Sequence, residues 1–351
     1  MSDIASSKPV LVTGGSGFIA SWIIKLLLEK GAQVRTTVRN KSKKEKYAHL
    51  LAIEEQSSGT LEIFEADLLN EGAFDAAVAG CGLVLHTASP FMVRGIKDAE
   101  NQLVRPALQG TRNVLNAVEK SPSVSRVVLT SSVASIYGDS SEINALPGKR
   151  FTEAHWNETS SLKHNPYSYS KVIAEKEAWK MAKAQNRWQL TVINPAFVLG
   201  PSLTQASNSP SLSLIKQLMD GSYKSGVPEL HFGIVDVRNV AQAHVEAAYR
   251  EKVEGRHILA HEKSLSMVDL ASILREEYKD RFKIPKGGVP KLLLYLLGPF
   301  MGFSWKYIRN NVGIPLLLDN SKSKEALGIK YIPPKETLIA QAEEMIRLGV
   351  I

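Results

Sequence analysis

Cysteine is nearly absent from this 351-residue chain: Cys81 stands alone. A single thiol excludes an intramolecular disulfide and points to a reducing compartment. No base arrangement around Cys81 suggests a nucleophile, so it reads as core filler. The scattered histidines, His244 among them, show no metal-ligand spacing and read as structural; no metal is expected. No internal repeat or low-complexity tract stands out. The N-terminus, MSDIASSKPVLVTGG, lacks a basic stretch followed by an apolar one, so no secretory signal is read and a cytoplasmic protein is expected.

Long apolar runs are also scarce. The strongest, VPKLLLYLLGPFMGFSWKYI at 289–308, has Lys291 and Lys306 bracketing it and Gly298-Pro299 in its middle. A membrane span needs about 20 mostly apolar residues. One or two short helices packing on the core or an interface are expected instead, with no membrane partner. A formal charge of +8 raises the question of nucleic acid, but no aromatic-basic module or finger spacing is present. The positive balance reads as a basic surface with a local site for an anionic ligand.

What remains is an ordinary globular composition, 44% hydrophobic and 22% charged, long enough for one large domain or two lobes. The first half alternates strand-like runs (PVLVTGG, AQVRTTVR, LEIFEADL, LVLHTAS, RVVLTSS) with helical stretches, including FIASWIIKLLLEKG, 72–80 and 98–119. Such alternation predicts an α/β fold: a Rossmann-type, doubly wound parallel sheet with helices on both faces. After PSLTQASNSPS the regular alternation is lost. The expected organisation is a dinucleotide-binding domain at 1–200, with a return crossing near 235–260, and a smaller C-terminal α/β substrate lobe at 201–351.

TGGSGFIA places Gly14, Gly17 and Ala20 between the first strand and the first helix. Glycine permits a tight turn and close approach of a diphosphate, and the helix N-terminus offers free N–H groups. At the end of the second strand no acid is present; TTVRNKSKKEK offers Arg39 and a run of lysines. A forked guanidinium suits a 2′-phosphate where an acid would suit ribose hydroxyls. The expected cofactor is therefore NADP(H). Asp67 in the ADL that follows strand three could cap a helix or meet an adenine amino group, and the two readings stand level. The small residues of HTASP would let a cofactor cross the strand ends.

The fifth strand ends LTSSVASIYG, with hydroxyls at Thr130, Ser131 and Ser132 that cannot all face one side. In NPYSYSK, Tyr167 lies four residues before Lys171 and Tyr169 only two. Helical residues four apart are about 40° apart in azimuth, and residues two apart about 200°. Tyr167 is thus the partner of Lys171, and Tyr169 is left to pack. An ammonium near a phenol is expected to lower its pKa and suit it to general acid–base work on a carbonyl that accepts hydride. A serine hydroxyl would orient that carbonyl.

These residues resemble the extended short-chain dehydrogenase/reductase family. TGGSGFIA, ADL, HTASP, LTSSVASIYG, YSYSK and NPAFVLGP occur in its order and spacing over at least residues 9–260. TTVRN, YSYSKVIAEKEAWK and VDVRNVAQAH are similar to the dihydroflavonol reductase, cinnamoyl-CoA reductase and microbial aldehyde reductase branch. The resemblance implies a catalytic set of Ser132, Tyr167 and Lys171. It implies cofactor contacts at Gly14, Gly17, Phe18, Ile19, Arg39, Lys46, Asp67, Leu68, Thr87, Pro195, Val198 and Ser211, besides Tyr167 and Lys171. The asparagine that dihydroflavonol reductases carry after the serine is not evident in VASIYG, and HNPYSY replaces an NWYCY-like signature, so neither plant substrate is assumed.

The expectation is an NADPH-dependent aldehyde or ketone reductase acting on a small carbonyl, as a monomer or homodimer. A sugar-nucleotide epimerase or dehydratase, a 3β-hydroxysteroid-dehydrogenase-like enzyme and an NADP-binding regulator are the alternatives. A pocket for the carbonyl is expected around Phe91, Tyr137, Phe197 and residues 205–235.

Overall fold

The computed structural model describes residues 8–89, 96–205 and 209–351. Its strands are β1 (Val10–Thr13), β2 (Gln33–Val38), β3 (Thr60–Glu65), β4 (Leu83–His86), β5 (Arg126–Thr130), β6 (Gln189–Pro195), β7 (Phe197–Leu199), β8 (His231–Phe232), β9 (Ile234–Asp236), β10 (Gly255–Leu259) and β11 (Leu265–Ser266). The helices of the first half are α1 (Phe18–Glu29), α2 (Ala48–Glu55), α3 (Asp75–Val78), α4 (Arg105–Lys120) and α5 (Pro166–Lys183). Those of the second half are α6 (Pro210–Met219), α7 (Val237–Tyr249), α8 (Met267–Tyr278), α9 (Lys291–Leu297), α10 (Trp305–Asn311), α11 (Ser321–Leu327) and α12 (Pro334–Arg347).

Seven strands form one sheet in the order β10-β6-β5-β4-β1-β2-β3, every pairing parallel. The chain runs outward from β1 through β2 and β3, returns to β4 on the other side of β1, and continues outward. The switch point lies between β1 and β4, where a ligand crevice forms outside the carboxyl ends of the strands. Helices cover both faces, so β1 (VLVT) is buried at every residue. One face packs α1, α7 and α2 against β1 and β2, with Ile23, Ile24, Leu27 and Val240 in the core. The other packs α4 and α5, through Val114, Leu115, Val118 and Ala178, against β4, β5 and β6.

The sequence expectations meet local detail here. Helix α1 stops where predicted: Gly31 takes φ +78°, its N–H donates to Leu28 O at 3.0 Å, and the Ala32 N–H donates to Leu27 O at 3.0 Å. That is a Schellman close, which a residue with positive φ permits. The candidate at 72–80 is only the single turn α3. The candidate at 98–119 enters through a wider turn over Glu100–Val104 before α4. Pro106, without an N–H, cannot close a regular bond near that junction.

A second apolar cluster gathers α6, α8, α12, β7 and β9 around Ile215, Leu218, Leu270, Leu274, Leu338 and Ala342. Segment 289–308 forms two short helices, α9 and α10, joined by a tight turn over Gly298–Met301. Of the expected packing on the core or an interface, the core part is carried by the buried Leu294 and Ile308, while Leu292, Leu296 and Phe300 face outward. Among the described residues no helix is long and apolar enough to cross a membrane.

Candidate active site

The glycine turn is fixed by the threonines of the next strand. The Gly14 N–H donates to Thr37 Oγ1 at 3.0 Å and the Gly15 N–H to Thr37 O at 2.9 Å. Gly14 sits at φ +73°, and a Cβ there would meet Ala88 at 3.1 Å. A Cβ on Gly15 would fall 2.3 Å from Thr36 Oγ1. Gly17 is the N-cap of α1 and supplies no capping side chain, and the first turn holds no acid. The first N–H groups of a helix have no intrahelical acceptor. The turn therefore presents the backbone donors around Phe18 and Ile19 to an anion, in a cradle that side chains at the glycines would fill.

Thr13, at the end of β1, pins β4 beside this turn. Its Oγ1 lies 2.9 Å from His86 Nδ1 and accepts from the Thr87 and Ala88 N–H groups at 3.1 and 3.0 Å, while Thr87 Oγ1 donates to Thr13 O at 2.5 Å. Burial, with the Lys171 charge adding to it, pushes His86 down to about 3, so the imidazole is neutral. At the other rim Arg39 is 81% exposed and pairs with Asp67 at 3.6 Å. Asp67 Oδ1 also accepts from the Leu69 N–H at 2.9 Å, a turn-closing role akin to the cap reading. Lys46 lies exposed in a short turn after β2. Leu68 packs toward Gly110, and its carbonyl accepts from Asn113 Nδ2 at 2.7 Å. A bound NADP(H) fits this donor set: a dipole end and backbone N–H groups for the diphosphate, and the exposed cations Arg39 and Lys46 beside the β2 end.

The three hydroxyls at the end of β5 do diverge. Thr130 Oγ1 lies 2.6 Å from His244 Nε2 on the α7 face. Ser131 Oγ donates to Glu175 Oε2 at 2.5 Å on the α5 face. Ser132 is left toward the crevice, where its Oγ caps the Ala134 N–H at 3.1 Å and hydrogen-bonds Tyr167.

Helix α5 supplies the tyrosine and lysine. Asn165 precedes it in the left-handed region, φ 54°, held by Nδ2 bonds to Gly138 O and Asp139 Oδ1. Pro166 then starts the helix with φ preset. Lys171 Nζ stands 5.8 Å from the centre of the Tyr167 ring and donates to Ser89 Oγ at 3.0 Å. Burial lowers Lys171 to about 8, opposed by the Glu175 charge. The expected lowering of the Tyr167 pKa is not met: burial pushes the phenol up, and only the Ser132 hydrogen bond works against it. The physical reason is that burial penalises the phenolate more than the Ser132 hydrogen bond favours it.

Sequence reasoning missed Glu175. It lies four residues beyond Lys171, on the same stripe of α5, and is 1% exposed. Its carboxylate accepts from Ser131, from Asn194 Nδ2 at 2.9 Å, from Trp179 Nε1 at 3.3 Å and from Arg256 Nε at 2.6 Å. Ser135 Oγ lies 2.6 Å from it and 2.7 Å from Ser132 O. The guanidinium of Arg256 stacks 3.9 Å from the Trp156 ring centre. The signal available in the sequence was only the four-residue step from Lys171.

Other predicted positions are spread out. Pro195 ends β6 at the sheet's carboxyl edge, and Val198 lies in β7 just after it. Ser211 is buried in α6 beside Ser209 and Gln341, so the structure joins it to the second cluster rather than to the glycine turn. Tyr137 stacks on Phe151 at 4.6 Å and Phe197 on Phe232 at 5.0 Å. Phe91 lies outside the described residues, as does part of the 205–235 stretch. Among the described residues no group of acids, histidines and cysteine could hold a metal.

Residues 10–259 match the model of the NAD dependent epimerase/dehydratase family. The chain is 35% identical over 348 residues to cinnamoyl-CoA reductase CAD2 of Medicago truncatula, covering 98% of each protein. It is 37% identical over 333 residues to a (2S)-flavan-3-ol-forming anthocyanidin reductase of Vitis vinifera, covering 90% of this chain and 94% of that one. The structure of the yeast methylglyoxal/isovaleraldehyde reductase Gre2 complexed with NADPH superposes with a TM-score of 0.79 at 30% identity, covering 97% and 99% of the two chains. The glycine turn, the parallel sheet with its switch point and this match over most of the chain lead to one statement: the protein belongs to the NAD dependent epimerase/dehydratase family.

Proposed function

We propose that this protein is an NADPH-dependent carbonyl reductase that converts an aldehyde or ketone to an alcohol. The observation that carries the reading is the convergence of Ser132, Tyr167 and Lys171 at the carboxyl edge of the sheet, beside the glycine turn. The reductase relatives and the NADPH-bound neighbour support it. NADPH supplies hydride to the carbonyl carbon when bound. Phe18, Ile19 and the glycine turn hold its diphosphate, Arg39 and Lys46 its 2′-phosphate, and Leu68, Thr87, Pro195 and Val198 line its course. Asp67 meets the adenine side and Ser211 stands at the edge of the site.

Ser132 holds the substrate oxygen by hydrogen bond, and Tyr167 delivers the proton that the developing alkoxide needs. A phenol pushed up by burial is fully protonated at neutral pH, which suits the reductive direction. Lys171, through Ser89 and the ribose side of the cofactor, orients the pair. Residues 1–200 with the 235–260 return serve the cofactor, and 201–351 the substrate. A cytoplasmic enzyme, monomeric or homodimeric, completes the reading.

Arg39 with no acid at the β2 end argues against the epimerase alternative, in which NAD would be kept through the cycle. The direct test is NADPH oxidation over a panel of small aldehydes and ketones, with Tyr167→Phe alongside. Turnover is expected to fall by about 10²–10⁴-fold in the variant while NADPH binding persists, the range general acid catalysis contributes. Undiminished turnover in Tyr167→Phe overturns the assignment.

A further inference from the structure

Helix α9 turns its apolar side outward. Leu292 and Leu296, and Leu293 and Leu297, form two rows four residues apart and are 75, 65, 41 and 48% exposed. Phe300 at the following turn is 91% exposed and Trp305 66%. On the other side of α9, Leu294 is 2% exposed and buried in the core, with the half-buried Tyr295 packed beside it. Scattered apolar side chains on a surface need no explanation, but a contiguous set does.

The charges carried by the segment itself have one sign. Arg281, Lys283, Lys286, Lys291, Lys306 and Arg309 are all exposed, and residues 281–318 contain no Asp or Glu. The acids bonded to the segment meet it at 310–313, just after the hairpin: Glu229 through its backbone carbonyl at Gly313, and the buried Asp139 through the amides of Asn310 and Asn311. The hairpin is braced: Lys291 Nζ donates to Val312 O at 2.8 Å and Trp305 Nε1 to Tyr295 O at 3.0 Å. Its apolar face is therefore held outward by the fold.

We propose that the hairpin 291–309 docks on an anionic lipid surface, with Leu296, Leu297, Phe300 and Trp305 entering to headgroup depth and the flanking cations meeting lipid phosphates. A helix lying in the interface plane needs an apolar face flanked by Lys and Arg, with an aromatic at the boundary. Seven residues of α9 are too few to span. A second copy of the chain fits less well. A two-fold contact sets the same patch against itself, which would bring these cations together without acids from the segment to pair them. The inference is independent of the proposed reaction.

The test is flotation of the full chain with vesicles of phosphatidylcholine alone or with about one-third phosphatidylserine. Binding at low salt is expected to be at least about tenfold stronger to the anionic vesicles and to weaken with salt. Leu296→Ser with Phe300→Ser should lower it at least about tenfold without changing the melting temperature. Lys306→Glu with Arg309→Glu should erase the preference for anionic lipid. Equal partition to both vesicles, or full binding by the Leu296→Ser/Phe300→Ser variant, overturns the proposal. So does a concentration-dependent dimer that this variant dissolves.

Discussion

Glu175 is where the site's geometry converges, because one carboxylate ties α5 to the ends of β5 and β6 and to the start of β10. It holds Ser131, Asn194 and Arg256 directly, and through Ser135 and Asn194 it reaches the carbonyl of Ser132. Its charge also keeps Lys171 from falling further than about 8. Lys171 is an ammonium below that value and loses its charge above it, so reductive kcat/KM should decline as pH rises through about 8. Glu175→Gln should move this decline to lower pH. It should also cost about 3–5 kcal/mol of stability, since Arg256 is left buried and unpaired. Glu175→Gln with Arg256→Met should recover part of the melting temperature but not the pH limb. A limb that stays in place shows a purely structural role. Arg39→Asp belongs to the same scale: the Michaelis constant for NADPH should rise at least about tenfold, with little change for NADH, because the forked donor is lost. Equal effects on both cofactors exclude Arg39 from 2′-phosphate binding. The pairing of Tyr167 with Lys171 was legible from a four-residue step. The direction of the Tyr167 shift was not, because desolvation depends on how the folded chain closes around the start of α5.

Among elements, the βα unit at the N-terminus carries the most information in its letters. Strand, glycine turn, helix and Gly31 stop lie where TGGSGFIA and the apolar pattern put them. What the pattern does not contain is the role of the next strand. Thr36 Oγ1 donates to Val12 O at 2.7 Å, and Thr37 holds Gly14 and Gly15, so TTVR serves as the floor of the turn as well as the approach to Arg39. Gly15→Ala would press a methyl against Thr36 Oγ1. The expected result is a loss of about 1–3 kcal/mol, as for other overpacked sites, with weaker NADPH binding. Gly15→Ala with Thr36→Ala restores the space and should recover binding in part, read by titration of the cofactor. No recovery would place the defect in the backbone of the turn rather than in the clash. The shorter α3 and the wide entry to α4 escaped the sequence pattern for a related reason: apolar periodicity marks a buried face and does not count hydrogen bonds.

At the scale of the whole molecule, the chain's two halves meet at Asp139. The residue is 2% exposed and accepts from Asn310 Nδ2 and Asn311 Nδ2, each at 2.8 Å, and from Asn165 Nδ2 at 3.2 Å; His164 Nε2 lies 2.8 Å away. It thereby joins α10, whose Ile308 belongs to the second cluster, to the start of α5, one turn from Tyr167. Nothing in the local sequence around Asp139 announces partners 171 and 172 residues away; only the tertiary fold brings the asparagine pair to it. Burial works to raise this carboxyl, but the hydrogen bonds from Asn310, Asn311 and His164 outweigh it and hold it below 3.8. A depressed carboxyl contributes stability that is fully present above its unfolded value and is lost as pH falls through the folded one. Asp139→Asn should therefore cost about 1–3 kcal/mol at neutral pH, the range for charged hydrogen bonds lost in a buried site. The gap to the native protein should narrow below about pH 4 as the native carboxyl takes up its proton. Amide exchange should quicken in 305–311 and 165–170 together, because both segments lose the same anchor. A gap of constant size from pH 7 to 3, or faster exchange in one segment alone, would show that Asp139 does not couple the C-terminal hairpin to the helix bearing Tyr167.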